Sequence, residues 1–213
     1  MKFDESMLLL YAVTDRSWTG TKTLLDQVEE ALRAGVTMVQ LREKEMEYDA
    51  FLKEAFQMRE LTKAYQVPLI INDNIEIALE CGADGVHVGQ SDVKAGEARK
   101  RIGPDRILGV TAKTVEQALL AEQNGADYLG TGAVFGSSTK KDALPMTLEL
   151  FKQISGSVSI PVVAIGGINR DNILELKGCS ASGAAVVSGI FAESDITGAV
   201  KDLLSKAERI RRR

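Results

Sequence analysis

Histidine is nearly absent from this chain of 213 residues, His87 being the only one. One imidazole flanked by valines supports no serine–histidine–acid set, and no His/Cys cluster is available for zinc or iron. His87 is therefore expected to be a packed, hydrogen-bonded side chain near a pocket, not a general base. Cysteine is scarce as well. Cys81 and Cys179 share no CxxC spacing and read as reduced thiols, not as a disulfide or a nucleophile. No apolar run approaches the ~20 residues of a membrane span. Asp4 and Glu5 stand where a signal peptide carries basic residues, so a cytoplasmic location is expected. Positive charge is not in surplus either: 26 Lys and Arg face 30 Asp and Glu, a net charge of -4, which argues against a nucleic-acid partner. The one basic cluster, Arg209 to Arg213, reads as a solvated tail that complements the dipole of the last helix.

What is present is an ordinary globular composition, 45% hydrophobic and 26% charged, with a repeating punctuation. Gly35, Gly82, Gly125 and Gly183 each stand between a helical stretch and a strand, as glycine commonly does just past a helix end. Pro68, Pro104 and Pro161 introduce other apolar strands, a position where no ladder donor is lost. With Leu8 to Val13 as the first, the strands number eight. The segments between them carry helical periodicity: Leu24, Val28, Ala31, Leu32; Phe51, Ala55, Met58, Leu61; Val115, Ala118, Leu119. The strands are almost continuously apolar, as strands covered on both faces are. This predicts a single-domain (β/α)8 TIM barrel over residues 1–213, with a doubly wound sheet as the alternative.

In a barrel of this kind the chemistry sits where the strands end. The second strand ends in Gln40-x-Arg42-x-Lys44, whose side chains share one face by alternation. A planar guanidinium and a mobile ammonium at one strand end suit an anion, and in an acidic protein they suit one particular anion. Asp73 and Asp92 follow neighbouring strands. Two carboxylates can hold Mg²⁺ with phosphate oxygens and water, or each can cap the helix behind it. Gly166-Gly167 and Val187-Ser188 end the last two strands, where backbone N–H groups commonly take a phosphate. The connection from Gly130 to Pro145 is long enough to be a binding loop or lid. It holds Ser137, Ser138 and Thr139, then Lys140, expected at the ligand, and Lys141, expected in solvent. The rim as a whole points to metal-assisted phosphoryl or diphosphate chemistry with two anion sites.

These residues together resemble the thiamine phosphate synthase family. The motifs are Val39 to Lys44, Ile71-Asn72-Asp73, His87 to Asp92, Gly109-Val110-Thr111, Ser137 to Asp142, Ile165 to Ile168, and Val187-Ser188, in the family's order over essentially the whole chain. The resemblance implies a (β/α)8 barrel that joins 4-amino-5-hydroxymethyl-2-methylpyrimidine diphosphate to a thiazole phosphate, giving thiamine phosphate and diphosphate. It implies that Gln40, Arg42, Lys44, Asn72, Thr111 and Lys140 hold the pyrimidine diphosphate, with Arg42, Lys44, Thr111 and Lys140 acting in catalysis. Asp73 and Asp92 would bind one Mg²⁺. Ser137, Ser138, Thr139, Gly166, Gly167, Val187 and Ser188 would hold the thiazole phosphate. The family reaction is a dissociative substitution in which diphosphate leaves before the thiazole nitrogen bonds.

The chain departs from the family pattern at Gly136-Ser137, commonly Pro-Thr, at Lys113, often His, and at Thr111, usually Ser. A related thiazole tautomerase-like group shares the barrel but relies on a histidine near position 113, which is Lys here. A phosphate sensor would not need the Asp73 and Asp92 pair.

Overall fold

The computed structural model describes residues 2–136 and 145–211. Eight parallel strands close into a barrel in sequence order, β1 pairing with both β2 and β8. The strands are β1 (Leu10–Val13), β2 (Met38–Leu41), β3 (Leu69–Asn72), β4 (Gly85–Val88), β5 (Ile107–Thr111), β6 (Tyr128–Thr131), β7 (Val162–Ile165) and β8 (Gly183–Val186). The helices outside them are α1 (Leu24–Ala34), α2 (Tyr48–Ala64), α3 (Ile75–Glu80), α4 (Ala95–Ile102), α5 (Val115–Gln123), α6 (Leu148–Ser157), α7 (Ser188–Phe191) and α8 (Ile196–Ile210). No described helix is long and apolar enough to cross a membrane.

Local chemistry sets the helix ends. Thr23 and Asp26 form a reciprocal capping box at the start of α1, and Gly35 closes it at φ +112°. Thr114, Thr147 and Asp195 accept from backbone N–H groups at the starts of α5, α6 and α8. Alternation along each strand then divides the core in two. Outward residues such as Val39, Leu41, Ile71, Val86 and Leu108 pack against the helices. Inward residues Tyr11, Met38, Ile70, Ile107, Tyr128 and Val163 fill the barrel's lower half, so ligand space is left only towards the strands' C-terminal ends.

Several sequence expectations change at element boundaries. Leu8 ends a 3-10 turn, Glu5–Leu8, and is not part of β1. Gly183 lies inside β8, where a Cβ would stand 1.9 Å from the Leu8 carbonyl oxygen; it is needed for that close approach and not for a helix end. Between β7 and β8 the described residues hold only a 3-10 turn, Ile173–Leu176, in place of a full helix. Thr62 completes the fully buried stripe of α2 while Leu61 is half-buried against the same core, and Leu119 is exposed on α5, where Ala121 is buried. Gly130 belongs to β6, so the long connection begins after Thr131. The final basic cluster begins as expected inside the last turn of α8 at Arg209, Arg211 caps that helix, and Arg212 and Arg213 lie outside the described residues.

Candidate active site

A cavity of about 480 Å³ opens at the C-terminal end of the barrel. It brings together Gln40, Arg42, Lys44, Asn72, Asp73, Asp92, Thr111, Gly166, Gly167, Val187 and Ser188. Ser137, Ser138, Thr139, Lys140 and Lys141 lie outside the described residues.

The wall from β2 to β4 is built of charged side chains. Gln40 is buried, Arg42 half-buried, and Lys44 exposed, so the alternating triplet climbs from the barrel interior to the rim. The Arg42 guanidinium lies 3.4 Å from an Asp15 carboxylate oxygen, while its backbone N–H donates to the Thr14 hydroxyl at 3.0 Å. Next to it, Arg16 bridges Glu43 and Glu54, fastening the loop after β1 to the loop after β2. These loop contacts hold Arg42 from behind.

Asp73 leaves β3 in the left-handed region at φ +62°, its N–H donating to the His87 carbonyl oxygen at 2.8 Å. Asp is among the few non-glycine residues that tolerate this conformation, and here it aims the carboxylate into the cavity. Its carboxylate accepts a hydrogen bond from Lys44. Burial pushes the Asp73 carboxyl above its ordinary value; Lys44 opposes the shift, and nearby Asp92 reinforces it. Asp92 accepts from the Gly89 N–H at 2.8 Å, which folds its carboxylate back beneath the rim. Neither acid is a helix cap: Asn74 caps α3 with its own side chain, and Lys94 precedes α4.

The two carboxylates thus form a crowded pair of hard oxygen donors, with one ammonium, that of Lys44, on the Asp73 side. That donor set fits a divalent cation of the Mg²⁺ type. Among the described residues no third His, Cys, Asp or Glu joins the pair. A metal held there would complete its coordination with substrate oxygens and water.

The facing wall, at β7 and β8, is built of backbone. Gly166 and Gly167 have φ values of +102° and +65°. Their carbonyls are engaged away from the cavity, Gly166 accepting from Phe135 N–H at 3.0 Å and Gly167 from the Asn172 amide at 2.9 Å. The short helix α7 begins at Ser188, one residue after β8, and its Ile190 and Phe191 N–H groups donate to the Val187 carbonyl at 3.1 and 2.9 Å.

The floor contains residues that the sequence did not single out. The Gln40 amide donates to the Tyr11 hydroxyl at 2.6 Å, and Tyr11 lies 2.9 Å from the Tyr128 hydroxyl. Tyr128 in turn is 3.1 Å from His87 Nδ1, and His87 Nε2 is 3.0 Å from the Thr111 hydroxyl. His87 is packed and hydrogen-bonded, as expected. Burial pushes both phenols well above the ordinary tyrosine value. Two tyrosines inside otherwise apolar strands were the available signal, because a buried phenol needs a partner. Gln90, which donates to the Thr111 carbonyl at 2.5 Å, and Lys113 also line the cavity.

Comparison with known proteins shows the family. A family model described as thiamine monophosphate synthase matches residues 10–190. The thiamine-phosphate synthase of Ruminiclostridium cellulolyticum is 51% identical over 195 residues, covering 92% of this chain and 93% of that one. That of Clostridium beijerinckii is 48% identical over 201 residues, covering 94% and 96%. The solved thiamine phosphate pyrophosphorylase from Pyrococcus furiosus superposes with a TM-score of 0.89 at 37% identity, over 97% of this chain and 98% of that one.

Proposed function

The chain belongs to the thiamine monophosphate synthase family, a transferase of thiamine biosynthesis, and on that premise we propose that it joins 4-amino-5-hydroxymethyl-2-methylpyrimidine diphosphate to a thiazole phosphate. The bond from the pyrimidine methylene carbon to the diphosphate oxygen breaks, and the electron pair leaves with the diphosphate. The thiazole nitrogen then bonds to that carbon, giving thiamine phosphate. The reading includes a cytoplasmic location, where charged phosphorylated substrates are retained.

One observation supports the reading: charged side chains at β2–β4 face the Gly166-Gly167 turn and the start of α7 across a single cavity. Arg42 and Lys44 hold the diphosphate, with Gln40, Asn72 and Thr111 holding the rest of that substrate. Gly166, Gly167, Val187 and Ser188 receive the thiazole phosphate. Lys140, Ser137, Ser138 and Thr139 are assigned by resemblance alone. Asp73 and Asp92 would hold one Mg²⁺, which when bound neutralises charge on the diphosphate. Lys44, which donates to Asp73 here, would offer its charge to the same diphosphate.

A dissociative substitution needs little proton transfer, so one histidine is no handicap. What it needs is cations in place before charge develops on the leaving group, with the second substrate already aligned. Arg42 is braced for this by Asp15. The test is a coupling assay with purified protein, Mg²⁺ and both substrates. Release of diphosphate with formation of thiamine phosphate is expected; folded protein that makes no product overturns the reading.

A further inference from the structure

We infer that Tyr128 governs a one-way chain of hydrogen bonds, from Gln40 through Tyr11, Tyr128 and His87 to Thr111, which holds His87 as its Nε2–H tautomer and leaves the Thr111 hydroxyl as a hydrogen donor to the substrate. Tyr128 is in this way a positioning residue. It is fully buried and does not line the cavity. The ligand meant here is the pyrimidine diphosphate, so that part rests on the function proposed above.

The direction of the chain follows from counting hydrogens. An amide nitrogen can only donate, so Tyr11 accepts from Gln40 and its own hydrogen goes elsewhere. If that hydrogen goes to Tyr128, then Tyr128 donates to His87 Nδ1, which must be bare. His87 Nε2 then carries the proton and donates to Thr111, whose hydroxyl hydrogen faces the ligand space. In the reverse order Thr111 donates to His87, His87 to Tyr128, and Tyr128 to Tyr11. The spare hydrogen is then left on Tyr11.

Burial decides between the two. Tyr11 is 1% exposed, and an unpaired buried donor is costly; Thr111 is only half-buried and its donor can meet water or substrate. The phenols keep their hydrogens, since burial holds both in the neutral form. The backbone also makes room for the chain. A Cβ at Gly109 would lie 2.2 Å from Tyr128 Cζ and 2.5 Å from His87 Nδ1, so any larger residue on β5 would displace both. Phe3 stacks on the Tyr128 ring at 5.9 Å and fixes it from below.

Because His87 is the only histidine, NMR of protein carrying isotope-labelled histidine reads its tautomer without assignment work. The ligand-free protein is expected to show Nε2 protonated and Nδ1 bare. Tyr128→Phe should move the Nδ1 signal and populate both tautomers. Tyr11→Phe should leave the tautomer in place, since Tyr128 can still donate. In the coupling assay, Tyr128→Phe should raise KM for the pyrimidine diphosphate about tenfold with a smaller change in kcat, the ratio expected from about one hydrogen bond. Thr111→Val should raise it as Tyr128→Phe does.

An Nδ1–H tautomer in the parent protein overturns the inference. So does a Tyr128→Phe spectrum identical to the parent's. The NMR arm needs no turnover, so it judges the chain of hydrogen bonds even if the coupling reaction itself were not observed.

Discussion

The two anion-suited walls of the cavity meet the same problem with opposite materials. From β2 to β4 the charge is on side chains, Arg42, Lys44, Asp73 and Asp92, placed on loops that are braced from behind. At β7 and β8 the lining is backbone, glycines in positive φ and the start of a short helix. The side chains of the first wall carry full charges, whereas backbone N–H groups offer only partial charges at fixed positions. The first wall suits a group that leaves, and the second suits a phosphate that stays attached throughout.

That contrast fails most visibly if Asp92 is dispensable. Asp92→Ala is expected to lower kcat by about 10²–10³-fold, the range seen when one electrostatic stabiliser of a transition state is removed. It should also abolish any rise in Tm on adding Mg²⁺, because a ligand that binds only the folded state stabilises it. A variant with normal turnover at low Mg²⁺ would reduce Asp92 to a turn residue of the loop after β4. The backbone wall should fail differently. A Cβ at Gly167 would stand 2.4 Å from the Phe135 carbonyl oxygen, at a φ of +65°. Gly167→Ala is expected to cost about 1–3 kcal/mol of stability, the usual scale of local backbone strain. It should raise KM for the thiazole phosphate roughly tenfold, with kcat less affected, as loss of about one phosphate hydrogen bond would. If instead kcat fell as far as with Asp92→Ala, the two walls would not be functionally distinct.

The charged wall should also be the less stable of the two when empty of substrate. Asp73 has its carboxyl raised above the ordinary value of 3.8, mainly by burial and also by Asp92, against the pull of Lys44. A raised acid binds its proton more tightly when folded, so folding loses stability as pH climbs through and above that value. Asp73→Asn removes the cost and keeps a residue tolerant of φ +62°. Its Tm at neutral pH is expected to rise by ~2 °C, the gain vanishing in acid where the native carboxyl is protonated. A fall in Tm at neutral pH would mean that the Lys44 pair outweighs the desolvation.

Much of this could be read from the sequence, for reasons that differ by region. Strands covered on both faces are apolar throughout, so all eight stood out, and the charged wall stood out because Arg, Lys and Asp at strand ends are conspicuous in an acidic chain. Helix faces were less certain. Leu119 fits the period of α5 yet points to solvent, since periodicity gives a stripe but not which neighbour covers it. Gly183 opens β8 as read, but no helix ends just before it, and a glycine needed for close approach to Leu8 looks the same in sequence. The floor was hidden for a further reason. Tyr11 and Tyr128 meet across 117 residues of sequence, and only closure of the barrel brings their hydroxyls together.

The smallest expected effect concerns the brace behind Arg42. Asp15 uses one oxygen to accept from the Ser17 N–H at 2.9 Å and the other to approach Arg42 at 3.4 Å. Asp15→Asn keeps an oxygen for the turn and removes the charge that draws in the guanidinium. Because the pair is long and partly hydrated, the loss should be modest, about a threefold rise in KM for the pyrimidine diphosphate, in line with a part-exposed ion pair. The effect should shrink as salt is added, since screening already weakens the pair in the parent protein. A lower KM would be the more instructive result, because it would show Asp15 competing with the substrate for Arg42. The side-chain wall would then owe its adjustability to internal counter-charges that must be displaced, a feature with no equivalent among the fixed N–H groups of the opposite wall.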